Sequence, residues 1–122
     1  MSASCLDLLD HLHGSVSVVG SMNVDYTVVT ERLPKPGETV NGGPLTLLPG
    51  GKSANQASAA ARIGAQVRMF GAVGEDTNAD FLLEHLRDAG VDTSHIAAVA
   101  GPSGTTVITV AVSYTHLTLP TI

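Results

Sequence analysis

Apolar and polar residues alternate with a period of two in several short blocks of this chain. From Ser15 to Thr30, β-branched residues lead to Gly20, after which polar residues at 23, 25 and 27 alternate with apolar ones at 24, 26 and 28. This alternation is typical of a strand with two different faces. Residues 66–73 predict a buried strand, 91–99 an extended segment and 105–110 a further alternating strand. We expect a weaker strand pair at 38–48, joined near 41–44.

Two segments change to the helical period. The first is predicted to begin at about Ser53 and to continue through an alanine-rich stretch, with Gly64 placed where a glycine ends a helix. The second follows a turn at 74–77, is expected to be capped by Thr77 or Asn78, and closes at Gly90. Leu82 and Leu86 share one face of this second helix, which predicts an apolar contact along it.

The order of these elements predicts an α/β fold. Helices that lie between strands require right-handed crossovers and therefore a largely parallel sheet. The pair at 38–48 has no helix between its strands. Together with the strand at 105–110, it is expected to form a small separate sheet beside the α/β core.

Composition limits the class of protein. The 122 residues allow one domain at most, and 43% hydrophobic with 14% charged residues indicate a globular chain. A net charge of −5, 3% aromatic residues and no Trp argue against a nucleic-acid partner. The single cysteine, Cys5, fits a reducing compartment such as the cytoplasm. No apolar run is long enough for a membrane span, and residues 1–14 lack the pattern of a signal peptide, so they are expected to be an N-terminal extension.

A glycine turn at residues 50–56 is the clearest candidate for chemistry. Two glycines directly before a helix allow close approach to a ligand, and the helix N-terminus presents free N–H groups. Lys52 and Asn55 add side-chain donors, so the turn suits an oxygen-rich or anionic ligand. A phosphate-binding P-loop would need a glycine where Thr46 stands, and that interpretation is rejected.

Asn23 and Asp25 form a second polar set. Period two places both on one strand face, about 7 Å apart. A carboxylate accepts hydrogen bonds from hydroxyls and an amide both donates and accepts, which is the mixture that a polyol requires. A polar strand edge facing solvent explains the same spacing equally well, and the residues alone leave both interpretations open.

Five motifs in order resemble the ribokinases, which belong to the PfkB-type carbohydrate kinases. The resemblance covers about residues 17–111, the N-terminal third of such a kinase. Its motifs are Gly-Ser-Met-Asn-Val-Asp at 20–25, Leu-Pro-Lys-Pro-Gly-Glu-Thr-Val at 33–40, Gly-Gly-Lys-Ser-Ala-Asn-Gln-Ala at 50–57, Gly-Ala at 64–65 and Gly-Ala-Val-Gly-Glu-Asp at 71–76. Ser53 stands where ribokinases usually have glycine.

The resemblance implies the N-terminal part of the ribokinase-like fold, with a parallel-sheet core and a small β-sheet lid over the sugar. It implies ATP-dependent phosphorylation of D-ribose with Mg²⁺, in a cytoplasmic enzyme that forms a homodimer through the lid; a monovalent-cation requirement stays open. The matching substrate-binding residues are Asn23, Val24, Asp25, Gly50, Gly51, Lys52, Ser53, Ala54 and Asn55.

The family's catalytic aspartate and glycine-rich nucleotide motif do not occur in this sequence, so no catalytic or metal-binding residue is assigned. We expect residues 1–14 to be an extension and 15–111 a truncated sugar-binding and lid region. Residues 112–122 resemble the translation of a transposon-end sequencing adapter and are expected to be non-native. The alternatives are a sugar-binding or dimerising module without catalysis, and another PfkB-type sugar or nucleoside kinase.

Overall fold

The computed structural model describes Ser4, Asp7 and residues 14–112. The predicted extension 1–14 and tail 112–122 lie outside the described residues except for Ser4, Asp7, Gly14 and Val112. Two compact units divide the chain, the first formed by residues 1–24 and 49–105 and the second by residues 25–48 and 106–122. The elements are β1 (Ser15–Val19), β2 (Asn23–Thr30), β3 (Thr46–Gly50), α1 (Lys52–Arg62), β4 (Gln66–Val73), α2 (Thr77–Asp88), β5 (Val91–Ala98) and β6 (Gly104–Ala111).

The first unit contains a parallel sheet in the order β1-β4-β5. Both connections move in the same direction across the sheet, so right-handed crossovers place α1 and α2 on the same face. The two helices contact each other, α1 also contacts β1 and β4, and α2 contacts β5. Val67 and Met69 of β4 and Leu82 and Leu86 of α2 are almost fully buried. The predicted α/β fold with a parallel sheet is confirmed.

Glycines set both ends of α1. Gly51 is the N-cap with φ 100° and ψ 124°, and no side chain caps the helix, which begins at Lys52, one residue before the predicted start. After the helix, Gly64 has φ 101°. Its N–H donates to the Ala61 carbonyl at 3.0 Å, and the Ala65 N–H donates to the Ala60 carbonyl at 3.1 Å. This pair of bonds is a Schellman motif, in agreement with the predicted glycine stop.

The cap of α2 differs from the prediction. Asp76, not Thr77 or Asn78, is the N-cap, and its carboxylate accepts a hydrogen bond from the Ala79 N–H at 2.9 Å. The same carboxylate also accepts from the N–H of Ser103 at 2.8 Å and from its hydroxyl at 2.7 Å. The contact with Ser103 joins two loops far apart in the sequence, so a local pattern does not reveal it.

A second sheet has the order β3-β2-β6. The small separate sheet is therefore confirmed, but its strands differ from those expected. The region 15–30 is not one strand: it breaks after β1, and β2 lies at the centre of the second sheet. The pair predicted at 38–48 is reduced to β3 and one antiparallel bridge between Thr30 and Gly42. Prolines at 34, 36 and 44 lack the N–H that a ladder requires, which explains the irregular chain before β3.

Candidate functional site

The glycine turn joins β3 to α1 through a very close backbone contact. A Cβ atom at Gly51 would lie 2.7 Å from the Met22 Cα and 2.7 Å from the Ser21 carbonyl oxygen. Real Cβ atoms do not approach other heavy atoms so closely, and the positive φ of Gly51 also disfavours any other residue. The turn therefore lies directly on Ser21 and Met22, the residues that precede the polar pair of β2.

The N-terminus of α1 presents donors at this turn. The Asn55 N–H donates to the Gly51 carbonyl at 2.9 Å, which is the first bond of the helix. The N–H groups of Lys52, Ser53 and Ala54 precede that bond and have no carbonyl within the helix to bind. Lys52 and Asn55 are exposed, whereas Ala54 is buried and anchors the first helical turn. These groups provide a partial positive charge and several donors at one point of the surface.

The polar pair of β2 alternates with buried residues. Met22 and Val24 are 4% and 0% exposed, whereas Asn23 and Asp25 are half-buried. The Asn23 Cβ lies 3.2 Å from the position of a Cβ on Gly104, so the strand also passes close to β6. Asn23 and Asp25 each have an interaction partner within the protein. Buried neighbours on both sides fix the backbone that carries the two polar side chains.

The structure brings the two predicted polar segments together within the first unit. Asn23 follows Met22, on which the Gly51 turn lies, and this places Asn23 and Val24 near the segment Gly50–Asn55. Asp25, the next residue of β2, is the first residue of the second unit. All nine predicted residues therefore lie on two short segments, and the contact between Gly51 and Met22 joins those segments.

Sequence reasoning gave no role to two glycines that complete this contact. A Cβ at Gly20 would lie 2.0 Å from the Ser53 Oγ, and a Cβ at Gly71 would lie 2.7 Å from the Gly20 carbonyl oxygen and 2.8 Å from the Met22 Cε. We call Gly20, Gly51 and Gly71 the glycine junction. The glycine at position 71, inside the predicted strand 66–73, was the available signal, since such a position often marks close approach of another backbone.

Two cavities are formed by other residues. One of about 440 Å³ in the second unit lies between the end of β2 and residues 40–43. Another of about 460 Å³ in the first unit lies between the carboxyl end of β4 and α2, beside Glu75, Asp76 and Asp80. None of the nine predicted residues lines either cavity.

Hydrogen bonds lower the pKa of the Asp76 carboxyl below its usual 3.8, first through the Ser103 hydroxyl, then through the Ser103 N–H, with a smaller contribution from the Ala79 N–H. The Ser103 Oγ, 4% exposed as a residue, also accepts from the buried Gly74 N–H at 3.0 Å. These contacts account for the Asp76 carboxylate as part of a structural network.

In residues 14–112, no three His, Cys, Asp or Glu side chains are grouped as metal ligands. No helix in that range is long and apolar enough to cross a membrane.

Known proteins are similar to this chain over a range that includes residues 23–25 and 50–55. A family model described as pfkB family carbohydrate kinase matches residues 14–119. Ribokinase of Bacillus subtilis is 46% identical over 85 residues, which are 70% of this chain and 29% of that protein. Deoxyribokinase of Salmonella typhi is 38% identical over 84 residues, which are 69% of this chain and 28% of that protein.

A solved structure of Arabidopsis thaliana ribokinase complexed with ribose and ATP is 36% identical, with a TM-score of 0.68. The match covers 80% of this chain and 31% of that one. The chain therefore spans less than one third of the length of these relatives. The family match extends into residues 112–119, and the non-native origin of 112–122 stays a prediction.

Proposed function

Because this chain belongs to the pfkB family of carbohydrate kinases, we propose that it is the sugar-binding part of an ATP-dependent ribokinase, which phosphorylates D-ribose at its 5-hydroxyl. The observation that carries this proposal is the contact of Gly51 with Ser21 and Met22, which joins the two polar segments. The similarity to ribokinases over about 70% of the chain supports the choice of sugar.

Each polar group has a proposed role in holding the sugar. The Asp25 carboxylate accepts hydrogen bonds from sugar hydroxyls, and the Asn23 amide both donates and accepts. Lys52, Asn55 and the free N–H groups of the first turn of α1 donate to sugar oxygens. Val24, Gly50, Gly51, Ser53 and Ala54 shape the backbone that presents these groups. The mixture of one carboxylate, two amides and several donors matches a ligand whose hydroxyls both donate and accept.

ATP and Mg²⁺ are cofactors of the proposed whole enzyme, and Mg²⁺ would neutralise charge on the nucleotide phosphates. The family's catalytic aspartate and glycine-rich nucleotide motif do not occur in this sequence. We therefore assign no catalytic step to this chain and propose that it is inactive by itself, the base that deprotonates the sugar hydroxyl being supplied elsewhere in the whole protein. The cytoplasm is its proposed location.

The test compares two proteins, the 122-residue chain and the product of the complete reading frame of the source gene. We expect the longer protein to phosphorylate D-ribose with ATP and the 122-residue chain to show no ribose-dependent ATP turnover. Turnover by the short chain would contradict its proposed inactivity. If the product of the complete reading frame does not phosphorylate ribose, the assignment as a ribokinase is contradicted.

A second substrate, 2-deoxyribose, is favoured by the similarity to a deoxyribokinase. The same assay with ribose, 2-deoxyribose, fructose and adenosine separates these candidates. Sites built to hydrogen-bond a substrate hydroxyl reject analogues that lack it by about 10⁴-fold. If kcat/KM is higher for 2-deoxyribose than for ribose, 2-deoxyribose becomes the proposed substrate and the assignment as a sugar kinase is unchanged.

Homodimerisation of the whole enzyme through the second sheet is also proposed. Its support is apolar exposure: Val107 on β6 is 77% exposed, and Leu45 and Leu47 at β3 are also exposed. Val107→Glu is expected to convert a dimer to a monomer in sedimentation velocity, because it places a charge in the apolar interface. Val99→Glu, at an exposed position of the first unit, is the matched control. A Val107→Glu protein that stays dimeric would contradict the use of this surface.

A further inference from the structure

The side chain of Ser53 points toward the backbone of Gly20. A Cβ on Gly20 would lie 2.0 Å from the Ser53 Oγ and 2.8 Å from the Ser53 Cβ. Because a carbon–carbon single bond is about 1.5 Å long, the Oγ lies within about 3.5 Å of the Gly20 Cα. Ser53 is half-buried, in contrast to its exposed neighbour Lys52. Its side chain therefore fills the space between the first turn of α1 and Gly20.

The backbone that Ser53 touches is held on its other sides as well. The Gly20 N–H donates to the Phe70 carbonyl at 3.1 Å, and Gly71 lies close to the Gly20 carbonyl oxygen. Two residues further along, Met22 lies under the Gly51 turn. Gly20 is thus contacted by β4 and by Ser53, and the Met22 backbone is contacted by Gly51. The next residue is Asn23, which carries one of the proposed sugar-binding side chains.

We propose that Ser53 is a positioning residue of the sugar site: its side chain sets the distance between the N-terminus of α1 and the segment from Gly20 to Asn23. The inference rests on the proposed function and gives Ser53, one of the predicted site residues, a specific role in that site. Closely packed groups do not tolerate added volume, so Ser53 and Gly20 form a steric pair in which a larger residue at either position displaces Asn23.

The experiment uses the product of the complete reading frame and measures ribose KM, kcat and thermal stability for Ser53→Gly, Ser53→Val, Gly20→Ala and the double variant Gly20→Ala/Ser53→Gly. We expect Ser53→Val and Gly20→Ala to raise the ribose KM at least tenfold, and Ser53→Gly to raise it about three- to tenfold, with kcat changed less than KM. A loss of ground-state positioning alters KM in this way.

The double variant is the decisive measurement. Removing the Ser53 side chain frees the space that a Cβ at position 20 requires, so the ribose KM of Gly20→Ala/Ser53→Gly is expected to be at least fivefold lower than that of Gly20→Ala. The recovery is partial because φ of Gly20 is 156°, which residues other than glycine rarely adopt. A double variant no better than Gly20→Ala would overturn the steric pair.

A matched control separates positioning from loss of helix stability. Ala59→Gly introduces the same residue at an exposed position of α1 and is expected to lower thermal stability without raising the ribose KM. An equal rise in KM for Ala59→Gly and Ser53→Gly would overturn the proposal, since Ser53 would then act only through the helix.

Hydrogen exchange gives a readout that does not need activity. The Gly20 amide, bonded to the Phe70 carbonyl, is expected to exchange several times faster in Ser53→Gly and at the wild-type rate in Ala59→Gly. An unchanged rate in Ser53→Gly overturns the positioning role. If the Gly20 amide exchanges faster in Ser53→Gly but the complete protein does not phosphorylate ribose, the contact of Ser53 with Gly20 is supported. In that case only the ribokinase assignment is rejected.

Discussion

Gly20, Gly51 and Gly71 are required for close backbone approach, whereas Gly64 and Gly101 are not. Cβ atoms on the first three would meet backbone or side-chain atoms at 2.0–2.8 Å, but on the other two they would meet nothing within 4 Å. The motif at residues 50–56, which contains Gly51, predicts a tight glycine turn before a helix. The need for Gly20 could not be predicted, because it depends on Ser53, which is 33 positions away and meets Gly20 only in the folded chain.

Removal of the Asp25 carboxylate tests the sugar site at a single residue. In the complete protein, Asp25→Ala is expected to raise the ribose KM by about 10- to 100-fold, because hydrogen bonds to a charged group contribute about 1.5–3 kcal/mol. Steady-state kinetics measure the change. Asp88→Ala, at an exposed position at the end of α2, is the control. An unchanged KM and kcat for Asp25→Ala would remove this residue from the site.

Three carboxyl groups make the stability depend on acid. The Arg32 side chain, followed by the Lys35 N–H, lowers the pKa of Glu38 from 4.5 to about 2. Hydrogen bonds from Ser103 lower the pKa of Asp76 below 3.8, and hydrogen bonds from Ser94 lower the pKa of Asp92 below the same value. Because these pKa values are lower in the folded state, the stabilisation is complete above the unfolded values and is lost as pH falls toward the folded ones.

We therefore expect the thermal midpoint to fall as the pH is lowered from about 4.5 toward 2. The thermal midpoint of Asp76→Asn is expected to fall less over this pH range, because the substitution removes one of the groups whose protonation destabilises the fold. Glu84→Gln, on the exposed face of α2, is the comparison. The same acid dependence in Asp76→Asn and in the wild type would show that the Ser103 contact does not matter for stability.

At the scale of elements, glycines and prolines decide where each helix and strand stops. Gly64 and Gly90 follow the two helices with positive φ, as their sequence positions predict. The start of α2 was predicted at the wrong residue. Asp76, itself a preferred N-cap residue, accepts from the Ala79 N–H three positions on. Its further contact with Ser103, 27 residues away, could not be predicted from a local pattern.

The two glycines that flank α1 are expected to respond differently to alanine. Gly64→Ala meets no atom and suffers only from its positive φ, which disfavours an L residue by about 1–2 kcal/mol. Gly51→Ala also suffers from a positive φ and in addition overlaps Met22 and Ser21, with an overpacking cost of about 1–3 kcal/mol. Urea denaturation measures both. An equal loss of stability would mean that the contact at Gly51 relaxes without cost.

In the first unit, the two helices α1 and α2 lie on the same face of the parallel sheet. Its opposite face carries a row of paired residues, Val19, Phe70 and His95, followed by Ala72 and Ala97. The Phe70 and His95 rings stack with centroids 4.6 Å apart, and Val19 is 77% exposed. Parallel sheets are usually covered on both faces, so the exposed Val19 makes this row a candidate for apolar association.

The 122-residue chain is therefore expected to self-associate and to bind the dye ANS. Val19→Ser is expected to reduce both, because it removes the most exposed apolar side chain of the row. Val99→Ser, which lies beyond the end of β5 and is 47% exposed, is the control for general loss of surface hydrophobicity. If the two substitutions change light scattering and ANS fluorescence equally, this face of the sheet is not the surface through which the chain self-associates.

The type and order of most elements and the polar segments at 23–25 and 50–55 could be predicted from local patterns. These features depend on the period of apolar residues and on glycine turns, which act over a few neighbouring positions. Tertiary contacts were needed to place β2 in the second sheet, to bring Ser103 to Asp76, and to bring Ser53 against Gly20. Each of these depends on atoms that are distant along the chain and meet only when backbone hydrogen bonds and close packing bring them together.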